Sequence, residues 1–266
     1  MIIKDQLQRD VHLGDNLQRI VSLVPSQTEL LYDLGLENEI GGITKFCIHP
    51  NHLRKNTRIV GGTKQVHFDR IRDLKPDIIL CNKEENTKEM VKELEKIAPV
   101  HVSDIKTFED SLELIDQYGR IFNREHLTFR FIEDLKSAKE NFQKTLKEGR
   151  NLKVAYFIWR DPWMLAGSGT FIDTLLKINK LENVIQANRS RYPTIDLKDL
   201  ESLRPDVVLL SSEPFPFREK HKKEISKHFE GKIQLVDGEY FSWYGSRLLP
   251  AFDYFRKFQM KLSSLR

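Results

Sequence analysis

The heptapeptide "LKPDIIL" at Leu74–Leu80 returns almost unchanged as "LRPDVVL" at Leu203–Leu209. This duplication constrains the fold more than any other feature of the chain. A short apolar run that follows Pro-Asp reads as a parallel strand buried on both faces. Two copies, each with its own surroundings, predict a molecule built in halves. The chain has 266 residues, room for two domains of about 130 residues each.

The intervening sequence alternates strand and helix signals. "RIVSLVPSQTELLYDLG" reads as strand (Ile20–Val24), turn and helix, with Pro25 in the first helical turn, Ser26 and Glu29 at capping-box spacing, and Gly35 as the stop. "EIGGITKFCIHP" predicts a second strand, Ile40 to Phe46, that breaks at His49-Pro50. "TRIVGGTKQVHFDRIRDLKPDIILC" and "NTKEMVKELEKIAPVHVSD" continue the βαβ order. From Phe108 to about Lys147 only helical spacing is found, with "FNREH" as an internal cap. Strand and helix signals then resume from "KVAYFIW" to the terminal helix "GSRLLPAFDYFRKFQMKL". The expected fold is α/β, two Rossmann-like lobes with mostly parallel sheets bridged by a long rigid helix. The expected boundaries are 1–105, 106–150 and 151–266, with no Gly/Ser/Pro-rich linker between them.

Several classes are excluded. Hydrophobic residues make up 39% of the chain and charged residues 31%, as in a soluble globular protein. No apolar run reaches the length of about 18 residues that a membrane span needs. A formal charge of +4, concentrated only modestly in "REKHKKEISKH", does not fit a nucleic-acid partner. The first 20 residues lack the apolar segment and cleavage site of a signal peptide, so a cytoplasmic location is expected if the sequence is complete. Two cysteines, Cys47 and Cys81, fit a reducing compartment and supply no zinc spacing. "GSGT" at Gly167–Thr170 opens a helix but lacks the GxxxxGK[ST] frame, and a turn with an N-cap accounts for it. No GxSxG elbow is present, and the acidic residues show no catalytic pairing, so no enzyme activity is expected.

The stretches "RIVSLVPSQTELLYDLGL", "GGTKQVHFDRIRDLKPDIIL", "FIWRDPWMLAGSGTFIDTLL", "LKDLESLRPDVVLLSSEPFPF" and "DGEYFSWYGSRLL" resemble, in order and spacing, the substrate-binding proteins of iron–siderophore and cobalamin ABC importers. The resemblance covers nearly the whole chain. It implies a ligand held in a cleft between two rigidly joined lobes, a periplasmic or cell-envelope setting, a monomer, and an ABC permease dimer as partner. It implies a metal chelate, haem or corrinoid as the ligand and no resident cofactor. The alternative is a cytosolic carrier or sensor of such a ligand with the same fold and no transporter.

On this resemblance the residues after the two repeated strands face the ligand, because open α/β sheets place their crevices at the carboxyl ends of strands. The aromatic residues expected there are Phe46, Trp159, Trp163, Tyr192, Phe241, Trp243 and Tyr244, each of which ordinary core packing would also explain. Basic residues beside them, Lys45, Lys64, Arg160, Arg189, Arg191 and Arg247, suit an anionic chelate, or are solvated surface charges. Lys64 stands where cobalamin-binding relatives tend to carry an aromatic residue, which favours a charged ligand. Cys47 and His49, two residues apart in an extended segment, share a face. Two ligands are too few for a structural zinc site, so they are expected to shape the pocket wall rather than bind metal. Glu84, Glu85 and Glu213 follow the repeated strands, and the resemblance implies that they meet arginines of the permease. A carboxylate at a helix start would look the same.

Overall fold

Two units divide the chain in a computed structural model that describes residues 1–146, 148–186 and 190–262. The first comprises Met1–Ile105, Glu109–Glu133 and Tyr244–Arg247; the second comprises Lys106–Phe108, Asp134–Trp243 and the residues from Leu248 onward. Among the described residues no helix is long and apolar enough to cross a membrane.

The first unit opens with an antiparallel hairpin of β1 (Ile2–Lys4) and β2 (Asp10–His12). Buried Asp5 fixes it, accepting from the Leu7 and Arg9 amides, the Arg9 side chain and the Val102 amide. Next come β3 (Ile20–Ser22), α1 (Pro25–Asp33), β4 (Ile40–Ile43), α2 (Asn51–Asn56) and β5 (Arg58–Ile59). They are followed by α3 (Phe68–Leu74), β6 (Ile78–Asn82), α4 (Lys88–Leu94) and β7 (Val100–Ser103). The strands form a five-stranded sheet, β5-β4-β3-β6-β7, parallel throughout. The sheet order reverses between β3 and β6, the switch point at which such sheets open a crevice.

Pro25 occupies the first turn of α1, as expected, but the helix is capped by Val24 without a side-chain bond. With the helix starting at Pro25, its cap lies two residues upstream of Ser26, so Glu29 makes no capping bond and pairs with Arg247 instead. Gly35, at φ 72°, ends the helix as expected. The Gly35 amide donates to Tyr32 O and the Leu36 amide to Leu31 O, a Schellman closure that only a left-handed residue completes.

The helical stretch expected over 106–150 comprises α5 (Phe108–Phe122) and α6 (Glu125–Thr145), parted within "FNREH". Asn123 takes a left-handed φ of 55°, and the Arg124 amide donates back to Gly119 O at 2.7 Å. Gly119 lets α6 approach, since a Cβ there would lie 2.2 Å from Thr128 Oγ1.

In the second unit β8 (Leu152–Trp159), β9 (Met164–Leu165), α7 (Phe171–Ile178), β10 (Leu181–Asn183), β11 (Val207–Ser211), α8 (Glu219–Ile225), β12 (Lys232–Val236), α9 (Glu239–Ser242) and α10 (Leu248–Leu262) follow in order. The sheet runs β10-β8-β11-β12, all parallel, with β9 antiparallel on β8. Its switch point lies between β8 and β11. Phe142 of α6 packs on Phe252 and Phe255 of α10, ring centroids 5.9 and 5.8 Å apart.

The repeated phrase is one local device built twice. Lys75 and Arg204 both take left-handed φ, 47° and 49°, and so turn the chain from a helical segment into the strand. Asp77 accepts from the Gln18 and Arg19 amides at 2.9 Å, donates its own amide to Arg19 O and pairs with the Arg19 guanidinium. Asp206 accepts from the Lys153 amide at 2.7 Å, donates to Lys153 O and pairs with Arg150. In each unit the aspartate pins the start of the neighbouring strand, β3 or β8. All five residues of β6 and of β11 are buried, and each fully buried Ile, Leu or Val side chain contributes about 1.5–3 kcal/mol.

Candidate functional site

Both switch points carry the same arrangement at the carboxyl end of the repeated strand. Asn82, the last residue of β6, accepts the Glu84 amide on its side-chain oxygen at 2.8 Å. Ser211, the last residue of β11, accepts the Glu213 amide on its hydroxyl at 3.4 Å. Each strand thus delivers a carboxylate two residues beyond its end. Glu84 O accepts from Lys64 Nζ; Glu213 accepts from Ser242 Oγ at 2.7 Å. Glu85 is half-buried like Glu84, and burial pushes its carboxyl above the usual range, against the opposing charge of Lys64.

In the first unit the loop beyond β4 projects Phe46, whose ring is 49% exposed, with Lys45 Nζ 5.0 Å from its centroid. Cys47 turns the other way. It is 1% exposed, its sulfur lies 3.1 and 3.2 Å from the Thr28 and Thr44 hydroxyls, and burial pushes its thiol up. The expected sharing of one face by Cys47 and His49 is therefore not met, because the strand ends at Ile43 and the chain turns through Thr44–Cys47. Half-buried His49 lies close enough for its charge to act on Glu29. Among the described residues no three His, Cys, Asp or Glu side chains converge as a metal ion requires.

Tyr244 and Arg247 belong to the first unit. Buried Gln27 is the hub: its amide donates to Tyr244 OH at 3.0 Å and Ser103 Oγ at 2.6 Å, while its oxygen accepts from Tyr118 OH at 2.8 Å. Burial pushes the Tyr244 phenol up to about 12. The Gly245 amide donates to Ser111 Oγ at 3.1 Å. Arg247 grips Glu29 with two bonds, 2.6 and 3.0 Å, both side chains being little exposed. These contacts make the segment an internal part of the unit, so Tyr244 is a packing residue and Arg247 is engaged with a carboxylate of its own chain.

The second unit gathers most of the expected aromatic set. Trp163 stacks on Phe217 at 5.8 Å and 15°, and meets Phe157 edge-on. Trp159, 41% exposed at the end of β8, meets Phe215 at 5.8 Å. Phe215 and Phe217 contact each other at 4.8 Å, and buried His221 of α8 lies edge-on to both. The Phe215 amide donates to Ile158 O at 3.3 Å, which ties the loop after β11 to the end of β8. The result is an aromatic platform of Trp159, Trp163 and Phe215 across the carboxyl ends of the two strands that flank the switch point, resting on Phe217, which is buried in the core of the unit. Arg160 lies 5.7 Å from the Trp163 ring and is held in two bonds by Glu224.

The other expected members make no ring contact with this platform among those described. Phe241 is fully buried among Tyr156, Phe255 and Phe258, a core residue rather than a ligand contact. Trp243 is 8% exposed. Tyr192 is half-buried, with the Arg191 guanidinium 5.8 Å from its ring. Arg189 lies outside the described residues. Phe215 and Phe217 fall in the segment after the repeated strand that was expected to face the ligand, though neither was singled out, and His221 was not expected. The signal for the two rings was the alternation in "EPFPF", in which Pro216 biases Phe215 toward extended backbone.

Residues 20–232 match the family model described as periplasmic binding protein. Over 215 residues the chain is 25% identical to an uncharacterized ABC transporter substrate-binding lipoprotein, YvrC, of Bacillus subtilis, covering 78% of this chain and 68% of that protein. It is 23% identical over 251 residues to a vitamin B12-binding protein of Pectobacterium carotovorum, covering 88% and 85%. Its fold is similar to that of the periplasmic heme-binding protein RhuT from Roseiflexus sp. RS-1, with a TM-score of 0.78, 17% identity and coverage of 91% and 98%. It is equally similar to the periplasmic vitamin B12 binding protein BtuF of Vibrio cholerae, with a TM-score of 0.78, 15% identity and coverage of 92% and 97%.

Proposed function

This chain belongs to the periplasmic binding protein family, and from that premise we propose that it captures a metal chelate, haem or corrinoid and presents it to an ABC importer. The family is one of binding proteins, and the role proposed here is capture without chemistry. The protein supplies no cofactor of its own; any metal arrives inside the ligand. Relatives named for substrate binding and for vitamin B12 support this reading. The observation that carries it is the platform of Trp159, Trp163 and Phe215 at the β8/β11 switch point, backed by the buried ring of Phe217. A flat conjugated ligand gains about 0.5–1.5 kcal/mol per ring contact there beyond the area it buries.

In the same reading Glu84 and Glu213 face the permease. They hold equivalent places two residues past β6 and β11, each within its own unit; such charges chiefly steer encounter. Glu85, shifted by burial toward its neutral form, serves this purpose less well. Absorbance titration with haemin, ferric siderophores and cyanocobalamin tests the proposal. Saturable binding of at least one of them is expected, and no spectral change with any of them overturns it.

A further inference from the structure

The aromatic platform has a cationic border on one side, formed by the start of α8. Segment 218–228 carries two pairs that occupy its carboxylates: Glu219 bonds Lys222, and Glu224 holds Arg160. Arg218 and Lys220 are exposed and have no carboxylate partner among the described residues. Their position is fixed through His221. The Arg218 amide donates to His221 Nδ1 at 2.9 Å, and the His221 ring lies 5.3 and 5.4 Å from Phe215 and Phe217. Burial, then the charges of Lys220, Arg160 and Arg218 among others, hold His221 below its ordinary range. Arg160, closest to a tryptophan, is neutralised by Glu224 and adds little net charge.

Resting on the binding role proposed above, we infer that Arg218 and Lys220 are specificity-determining residues that select ligands whose aromatic plane carries anionic groups. A porphyrin dicarboxylate and a catecholate chelate share that chemistry. A neutral corrinoid or trihydroxamate complex stacks on the same rings but gains nothing from the border. Arg offers a planar two-pronged donor and Lys a mobile point charge, a pairing suited to carboxylates at the edge of a plane.

The test compares two matched pairs by quenching of tryptophan fluorescence: haemin against its dimethyl ester, and a ferric tricatecholate against a neutral ferric trihydroxamate. Cyanocobalamin is a fifth probe. In at least one pair the anion is expected to bind roughly tenfold or more tightly than its neutral counterpart, as two partly screened charge contacts provide. Arg218→Gln with Lys220→Gln is expected to close that gap and leave the neutral probe unchanged, and added salt to narrow it in the natural protein. Which pair responds identifies the ligand source. The inference is overturned if neither pair discriminates, or if the double variant weakens both members equally. Binding of cyanocobalamin alone overturns it while the binding role stands. If none of the five binds, the role falls with it.

Discussion

Replacing Arg247 by Gln tests how residues 244–247 are held in the first unit. Its guanidinium makes two bonds to Glu29, with the two side chains 11% and 16% exposed. Breaking a fully buried pair by removing one partner costs about 3–5 kcal/mol, because the remaining charge is left without compensation. The residual exposure here lowers that to about 2–3 kcal/mol at neutral pH. The sign with pH follows from Glu29. Burial raises its pKa above 4.5 even with Arg247 beside it. Its contribution to stability is therefore fully present below the unfolded value and is lost as pH rises through the folded value. Removing Arg247 raises the folded value further and widens the loss at neutral pH. Urea unfolding of Arg247→Gln should show its full deficit at neutral pH and a much smaller one below the unfolded carboxyl pKa, where Glu29 is neutral. Adding Glu29→Leu to Arg247→Met should restore much of the stability. A single variant within about 0.5 kcal/mol of the natural protein, or a double variant worse than either single one, refutes the reasoning.

Three further outcomes are expected. Asp77→Ala and Asp206→Ala should each cost about 1–3 kcal/mol by chemical denaturation, and closely similar costs are expected because each aspartate pins the neighbouring strand in the same way. Gln27→Ala should cost about 2–4 kcal/mol, since it strips partners from the buried phenols of Tyr118 and Tyr244. Cys47 and Cys81, buried and with thiol pKa values raised by burial, should not react with a thiol reagent in the native protein and should both react once it is unfolded.

Signals that depend on neighbours in sequence were legible in the chain. The duplicated strand phrase announced both sheets, and Pro25 and Gly35 marked the ends of α1 because each acts through its own backbone. Readings that depend on distant partners fared differently. Ser26 and Glu29 had the spacing of a capping box, yet Glu29 bonds Arg247, 218 positions away, and no local pattern encodes that. The sequence around Phe241 resembles a loop, but its place among the rings of Tyr156, Phe255 and Phe258 is set by where α10 packs. Trp163 stood out by its turn context in "RDPWM" and Trp159 by its place at the end of a strand signal. Their partners Phe215 and Phe217 were not, because only the adjacency of β8 and β11 brings the two loops together.

The central claim is that the protein's ligand lies on the aromatic platform of the second unit. Its most direct test is a titration of the Trp163→Phe, Trp243→Phe variant, in which Trp159 is the sole remaining indole. Haemin, a ferric siderophore or cyanocobalamin should quench that indole saturably, at one ligand per chain. An emission that stays constant while another probe records tight binding of the same ligand would place the site elsewhere and contradict the account.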